Sequence, residues 1–363
     1  MSFAELLPKP NAPCKMGELI FCSDEEGLSR ARETRPAGRL LIVTDAYALQ
    51  AFRCCQMPRA LRLVLDSDDC LPLFSSSDDA SLIVASGRES TLVSARFFAQ
   101  IRNIPCVLFP VSAALDGAFE KFGNIRLGEV SGRVPLADAT VCCDPELLAP
   151  SLGQSYMRLL LSRLALIEAK ALKGLGVNQG AAQAQERAYQ ALLSIKFKTL
   201  DFEDVVQKNA RIRRCERDGM AMGEGRVLAR EIGYCGEEQA FFLLSALYSA
   251  FFTRGKPRLR VPDYAARARA ASAAYATQRV PTVQEFARRA ALLERIRAEM
   301  AEEIERFLEG GTHFKKNFYT LTGRAPVGVQ STEPLQRLPE LGEGLSSLIR
   351  DFGLMDWKER KIF

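Results

Sequence analysis

The sequence predicts an α/β protein in two parts: an N-terminal doubly wound parallel-sheet domain over residues 1–150 and an all-α domain over residues 151–363. Three observations lead there. Short apolar runs alternate with helical patterns as far as Pro150. Beyond it Ala, Leu, Glu and Arg dominate and β-branched runs become rare, a composition that favours helix. Finally, 363 residues with 47% hydrophobic and 26% charged side chains are enough for two cores of ordinary size.

In chain order, Arg39–Asp45, Leu61–Leu65, Ser81–Ala85 and Ile104–Phe109 read as buried parallel strands. Ser90–Arg102 reads as a crossover helix, because Leu92, Ala95, Phe98 and Ala99 recur at helical spacing. A hairpin is expected around Lys121–Val134, closed by a strand at Ala139–Cys142. In the second part, Glu237–Phe252 reads as a core helix carrying Phe241, Phe242, Tyr248, Phe251 and Phe252. Another helix starts at Pro281–Thr282, where Thr282 and Glu285 have capping-box spacing, runs through Phe286–Leu308, and ends at Gly310 and Gly311.

Composition narrows the function classes. Met1–Pro13 lacks the basic start and apolar run of a signal peptide, and no stretch reaches the roughly 18 apolar residues of a membrane span, so a cytoplasmic location is expected. Of ten cysteines, Cys54 and Cys55 are adjacent, as are Cys142 and Cys143, and no C-x-x-C occurs; reduced, mostly buried thiols are expected rather than disulfides or zinc. The formal charge is only +5, and the basic cluster Arg211, Arg213, Arg214 and Arg217 reads as a solvated helix face, so no nucleic-acid partner is expected.

Four stretches then stand in a telling order: Leu41–Asp45, Ala85–Arg96, Phe109–Gly117 and Asp144–Leu148. Their order and spacing resemble the iron-containing alcohol dehydrogenase and dehydroquinate synthase superfamily, most closely the sn-glycerol-1-phosphate dehydrogenases. The resemblance runs from Cys14 to Trp357. It implies a Rossmann-like domain followed by a dehydroquinate synthase-like helical domain, a cleft between them, an NAD(P) cofactor, a catalytic metal and association into homo-oligomers.

The resemblance places the dinucleotide turn at Ala85–Ser90, with Ser86, Gly87 and Ser90 as contacts. Only Gly87 remains of the expected glycine run, while Arg88 and Glu89 bring bulky side chains and Val93 replaces an acidic residue. The segment is either a surviving dinucleotide turn or an ordinary strand-to-helix turn. In the next loop Val111 replaces a hydroxyl, Ser112 keeps one, and Asp116 is either an active-site carboxylate or a turn aspartate before Gly117.

The family's metal ligands are an aspartate and two histidines, and here the matching positions hold Tyr156 (or Met157 in a shifted register), Arg226 and Cys235. A cysteine can ligate zinc, but a guanidinium has no lone pair to offer, so no metal is expected. Arg226 either substitutes for the cation, holding a small anionic ligand, or pairs with Glu237 or Glu224. The single histidine, His313, is either a proton relay or a surface or capping residue; Lys315, Lys316 and Arg324 are basic neighbours able to meet an anion.

Three readings follow. The chain is a pseudoenzyme or repurposed ligand-binding member of the glycerol-1-phosphate dehydrogenase-like family. Alternatively it is a metal-free NAD(P)-dependent oxidoreductase, with Asp116, Tyr156 or Cys235 as proton donor and Arg226 as electrophile, or it is a structural or interaction subunit.

Overall fold

The computed structural model describes residues 18–34, 38–57, 59–65, 67–76, 79–174, 182–193, 201–220, 222–252, 284, 288, 291, 299–307, 313–337 and 345–346. Met1–Pro13, Cys14, both capping-box residues Thr282 and Glu285, Gly310, Gly311 and Trp357 lie outside them.

The N-terminal part is an α/β layer built on a six-stranded parallel sheet. In chain order it contains β1 (Leu19–Phe21), α1 (Asp24–Thr34), β2 (Arg39–Thr44), α2 (Ala46–Ala51), β3 (Leu61–Val64), α3 (Leu71–Ser76), β4 (Ala80–Gly87), α4 (Glu89–Arg102), β5 (Cys106–Pro110), the hairpin strands β6 (Phe122–Leu127) and β7 (Val130–Pro135), and β8 (Thr140–Cys143). The sheet order is β1-β8-β5-β4-β2-β3, and β6-β7 form a separate antiparallel pair. The apolar runs of β2, β4 and β5 are buried, as expected of strands covered on both faces. Two features differ from the sequence expectation. Strand β3 alternates between half-buried and exposed residues because it is the sheet edge, and the three-residue β1 was too short to register as a pattern.

Chain contacts divide the molecule into two compact units, Met1–Ser155 with Asp201–Arg217, and Tyr156–Leu200 with Asp218–Phe363. The helix α8 (Phe202–Arg217) thus belongs with the sheet, although it follows the division expected after residue 150. Its apolar residues Val205 and Val206 are fully buried, and Phe202 packs edge-on against Phe21 of β1 at 6.1 Å. The arginine cluster explains the rest. Arg213, 6% exposed, donates from Nε to the Ala114 carbonyl at 2.8 Å, pairs with Glu216 at 2.9 Å and bonds Asp116. Arg217 pairs with Asp138 at 2.7 Å, and Arg214 lies over the Phe119 ring at 4.9 Å. Of the four only Arg211 is exposed, so this is a docking face rather than the solvated face its composition suggested.

The second unit contains helices and no strand among its described residues. Its elements include α6 (Leu152–Gly174), which begins just before the unit boundary, α7 (Ala182–Leu193), α9 (Gly223–Ile232), α10 (Gly236–Phe252) and the helices Phe314–Thr322 and Glu333–Arg337; residues 299–307 are also helical. Phe241 centres an aromatic cluster with Phe307 at 5.9 Å and Phe314 at 5.3 Å. Phe242, expected in the core, is only partly buried at its rim. Gly225 lets α9 approach α6, since a β-carbon there would lie 2.7 Å from a Leu161 methyl. All cysteines described are free thiols, and no described helix is long and apolar enough to cross a membrane.

Candidate ligand site

In an open α/β sheet, ligands bind beyond the carboxyl ends of the strands where the order of connections reverses. Here β2 leads outward to β3, and β4 returns on the other side of β2. A cavity of about 230 Å³ lies at this point, lined by Asp45 and Tyr47 after β2, Ser67 and Asp68 after β3, and Arg88 and Ser90 after β4.

Asp45 organises the cavity. Its Oδ1 accepts from the Ala48 amide at 2.8 Å, capping α2, while Oδ2 accepts from the Arg88 amide at 2.7 Å and the Thr91 hydroxyl at 3.3 Å. One carboxylate therefore ties the ends of β2 and β4 together and meets the positive end of the α4 dipole. Gly87 makes the approach possible. A β-carbon there would lie 2.7 Å from Asp45 Oδ2 and 2.9 Å from Thr91 Cβ, closer than real β-carbons come. The Arg88 side chain is exposed and rests over the Tyr47 ring at 5.4 Å, and Glu89 is exposed beside it. Val93 is buried against Gly123 of the hairpin, so the position that is acidic in the resembled family serves the core here.

Gly87 and Ser90 thus lie at the cavity, but the other cofactor candidates do other things. Ser86 is fully buried in β4, with a hydroxyl that has no hydrogen-bond partner among the described residues. The Ser112 hydroxyl accepts from the Ala114 amide at 3.3 Å, a turn role in the loop after β5. Val111, where the resembled family keeps a hydroxyl, is buried. Asp116 in that loop is bonded to the buried Arg213, so its carboxylate is neither a simple turn cap nor an unengaged acid. The loop is pinned from below by Arg96, 1% exposed, which donates to the carbonyls of Gly117, Glu120 and Ala137 at 2.8–2.9 Å. Asp45 was missed as a site residue in the sequence; the signal available was an aspartate closing an apolar strand directly before a helix.

The three positions matched to metal ligands belong to the helical unit. Tyr156 is 1% exposed on α6; burial pushes its phenol up to about 12, and its hydroxyl faces Asn317 without a hydrogen bond of ordinary geometry. Arg226 lies part-buried on α9, with Nη1 2.7 Å from the Met222 sulfur. Cys235 holds φ +47° in the tight turn between α9 and α10. Glu224, one proposed partner for Arg226, is taken up by Tyr248 and Ser346, while Glu237 pairs with Arg158 at 3.0 Å. A neutral phenol, a guanidinium and one thiol offer a single competent ligand, so this donor set does not fit the metal of the resembled family. Among the described residues, no three His, Cys, Asp or Glu side chains converge in a metal-holding group.

His313 stands at the N-terminal cap position of Phe314–Thr322, but its side chain makes no capping bond. Lys315 and Lys316 are exposed. Arg324 is committed to the buried Glu238 through two nitrogens, at 2.6 and 3.1 Å, and that carboxylate holds its guanidinium above the usual range.

Comparison with solved structures finds the same fold elsewhere. Maleylacetate reductase from Rhizobium sp. strain MTP-10005 matches with a TM-score of 0.50 and 14% identity over 93% of this chain and 95% of its own. A 1,3-propanediol oxidoreductase matches with a TM-score of 0.50 and 12% identity over 93% and 97%. An iron-containing alcohol dehydrogenase from Corynebacterium glutamicum gives 0.47 and 14% over 94% and 88%. The chain shares the fold of the maleylacetate reductase and the 1,3-propanediol oxidoreductase. At such identities the likeness is one of fold alone. No protein-family model matches the sequence, and no curated protein does either.

Proposed function

We propose that the chain is a divergent member of the glycerol-1-phosphate and polyol dehydrogenase group that binds a nicotinamide dinucleotide or related nucleotide and does not carry out metal-dependent hydride transfer. The observation that carries this reading is the contrast between the turn after β4 and the positions of the helical unit that match metal ligands. At the end of β4 the strand-to-helix turn keeps the glycine that close approach requires, an α4 N-terminus, and a cavity with hydrogen-bonding walls. In the helical unit, Tyr156 and Arg226 stand where the resembled family has an aspartate and a histidine; the Tyr156 phenol stays protonated at neutral pH and is a weak metal ligand, and the Arg226 guanidinium has no lone pair to offer.

Asp45, Gly87 and Ser90 would hold the nucleotide, with Asp45 keeping room to accept a sugar hydroxyl. Asp45, Asp68 and Arg88 all line the cavity, so it offers a nucleotide charge of both signs.

The test is a calorimetric titration of the purified protein with NADH and NADPH, with and without zinc or nickel. Binding of NADH that is unchanged by metal and weakened at least tenfold in Asp45→Ala is the expected result. NADH oxidation by a polyol-derived ketone that appears only when zinc or nickel is added would refute the loss of metal-dependent hydride transfer, and no heat with either dinucleotide would remove the nucleotide half of the reading.

A further inference from the structure

Glu168 of α6 and Glu224 of α9 are buried together in the helical unit, 2% and 9% exposed. Tyr248 of α10, fully buried, stands between them, its hydroxyl oxygen 2.6 Å from Glu168 Oε1 and 3.1 Å from Glu224 Oε2. The Glu224 amide donates to Glu168 Oε2 at 2.8 Å. The Ser346 amide donates to Glu224 Oε2 at 2.9 Å, and the Ser346 hydroxyl donates to Glu224 Oε1. Gly223 lets these groups meet: with φ +71°, a β-carbon there would lie 2.3 Å from Ala165 Cβ and 2.8 Å from Glu168 Oε2. Among the described residues, no Lys, Arg or His side chain bonds either carboxyl.

Counting protons decides the state of this cluster. A phenol carries one proton and can donate it to one carboxylate only. Its second short contact is a hydrogen bond only if the other carboxyl is protonated and donates to the phenolic oxygen. Glu224 accepts two donors from Ser346, which favour its ionised form, whereas Glu168 accepts one backbone amide. The proton therefore belongs on Glu168 Oε1, directed at Tyr248, whose own proton is directed at Glu224 Oε2.

We propose that this chain of hydrogen bonds, from Glu168 through Tyr248 and Glu224 to Ser346, is a pH-sensitive clasp in which one proton shared by two buried carboxyls holds Ser346 against α9 and loss of that proton releases it.

Without the proton, two buried anions face one hydroxyl hydrogen, and their repulsion acts in a poorly solvated setting. The groups that face the pair from α6, α9 and α10 are Glu168, Glu224 and Tyr248 themselves, and Ser346 contributes dipoles but no charge. Burial first, and then the charge of Glu224, pushes Glu168 up to about 8, and burial raises Glu224 as well. Burial also raises the Tyr248 phenol well above its ordinary value, so Tyr248 relays the proton without losing it. The closed clasp thus binds more protons than the open one. It is fully formed below the ordinary carboxyl range and weakens as pH rises from there through about 8.

Amide hydrogen exchange on the intact protein tests this at the Ser346 amide. Its protection factor is expected to fall by up to about tenfold per pH unit between the ordinary carboxyl value and about 8, while amides of β4 keep theirs. Glu168→Gln, neutral at every pH, should abolish the fall. A flat wild-type profile, or an unchanged fall in E168Q, overturns the proposal. Should E168Q not fold, infrared difference spectra of the wild type decide. A protonated-carboxyl band persisting at pH 6 and vanishing at higher pH supports the clasp, and its absence at pH 6 refutes it. Neither readout depends on dinucleotide binding.

Discussion

Gly87 and Asp45 form a pair in which one residue's missing side chain makes room for the other's carboxylate. In Gly87→Ala the new β-carbon would start 2.7 Å from Asp45 Oδ2, against a group already fixed by three donors. The expected cost is about 1–3 kcal/mol of stability, as for other overpacked sites, measured by denaturant unfolding. A variant as stable as the wild type would mean that Asp45 moves aside freely and does not brace the turn. The two residues also differ in how visible they were. Gly87 stands out because the family resemblance places a glycine-rich turn there and only this glycine remains of it. Asp45 acts through register: β2 and β4 pair so that Thr44 lies opposite Ser86, which brings its carboxylate to an amide 43 positions away. No local pattern reports such a distance. Tyr156, Arg226 and Cys235 were singled out only because a family resemblance gave their positions a meaning.

Among the elements, α8 shows where composition misleads. Its four arginines look like a solvated face, because charge clusters on helices usually are. The structure turns three of them inward: Arg213 to Asp116 and the Ala114 carbonyl, Arg217 to Asp138, and Arg214 to the ring of Phe119. Removing one partner of a buried pair strands the other, so Arg213→Ala is expected to destabilise by about 3–5 kcal/mol. Arg211→Ala, on the exposed side of the same helix, should stay within about 0.5 kcal/mol. Thermal or denaturant melts of the two variants separate these outcomes, and equal effects would return α8 to the solvated reading. The strands β2, β4 and β5, the crossover helix α4, the hairpin and α10 were legible because each carries its own periodicity, apolar runs for buried strands and helical spacing for helices. Where α8 docks was not legible, since its apolar stripe and its arginines fit either half of the molecule until the acidic partners are placed in space.

For the whole molecule, the placement of α8 determines what can fold alone. The sequence divides after residue 150, but the sheet unit draws on two stretches, Met1–Ser155 and Asp201–Arg217. A fragment ending at Ser155 would lack the guanidinium that bonds Asp116 and the Ala114 carbonyl, the partner of Asp138, and the apolar side chains of Val205 and Val206. It would leave Asp116 in the loop after β5 and Asp138 between β7 and β8 without their cations and expose the surface that α8 covers, which favours a compact state lacking fixed packing. The fragment is therefore expected to keep helical far-ultraviolet dichroism while showing no cooperative melt. Joining 201–217 to it through a flexible Gly/Ser linker in place of 156–200 should restore a cooperative transition, because the linker has only to span the gap and adds little closure entropy. The same joined fragment carrying Arg213→Ala should lose that transition again. If the fragment ending at Ser155 melts cooperatively by itself, α8 is an accessory to the sheet unit, and the contacts of Arg213 stabilise a domain that is already complete without them.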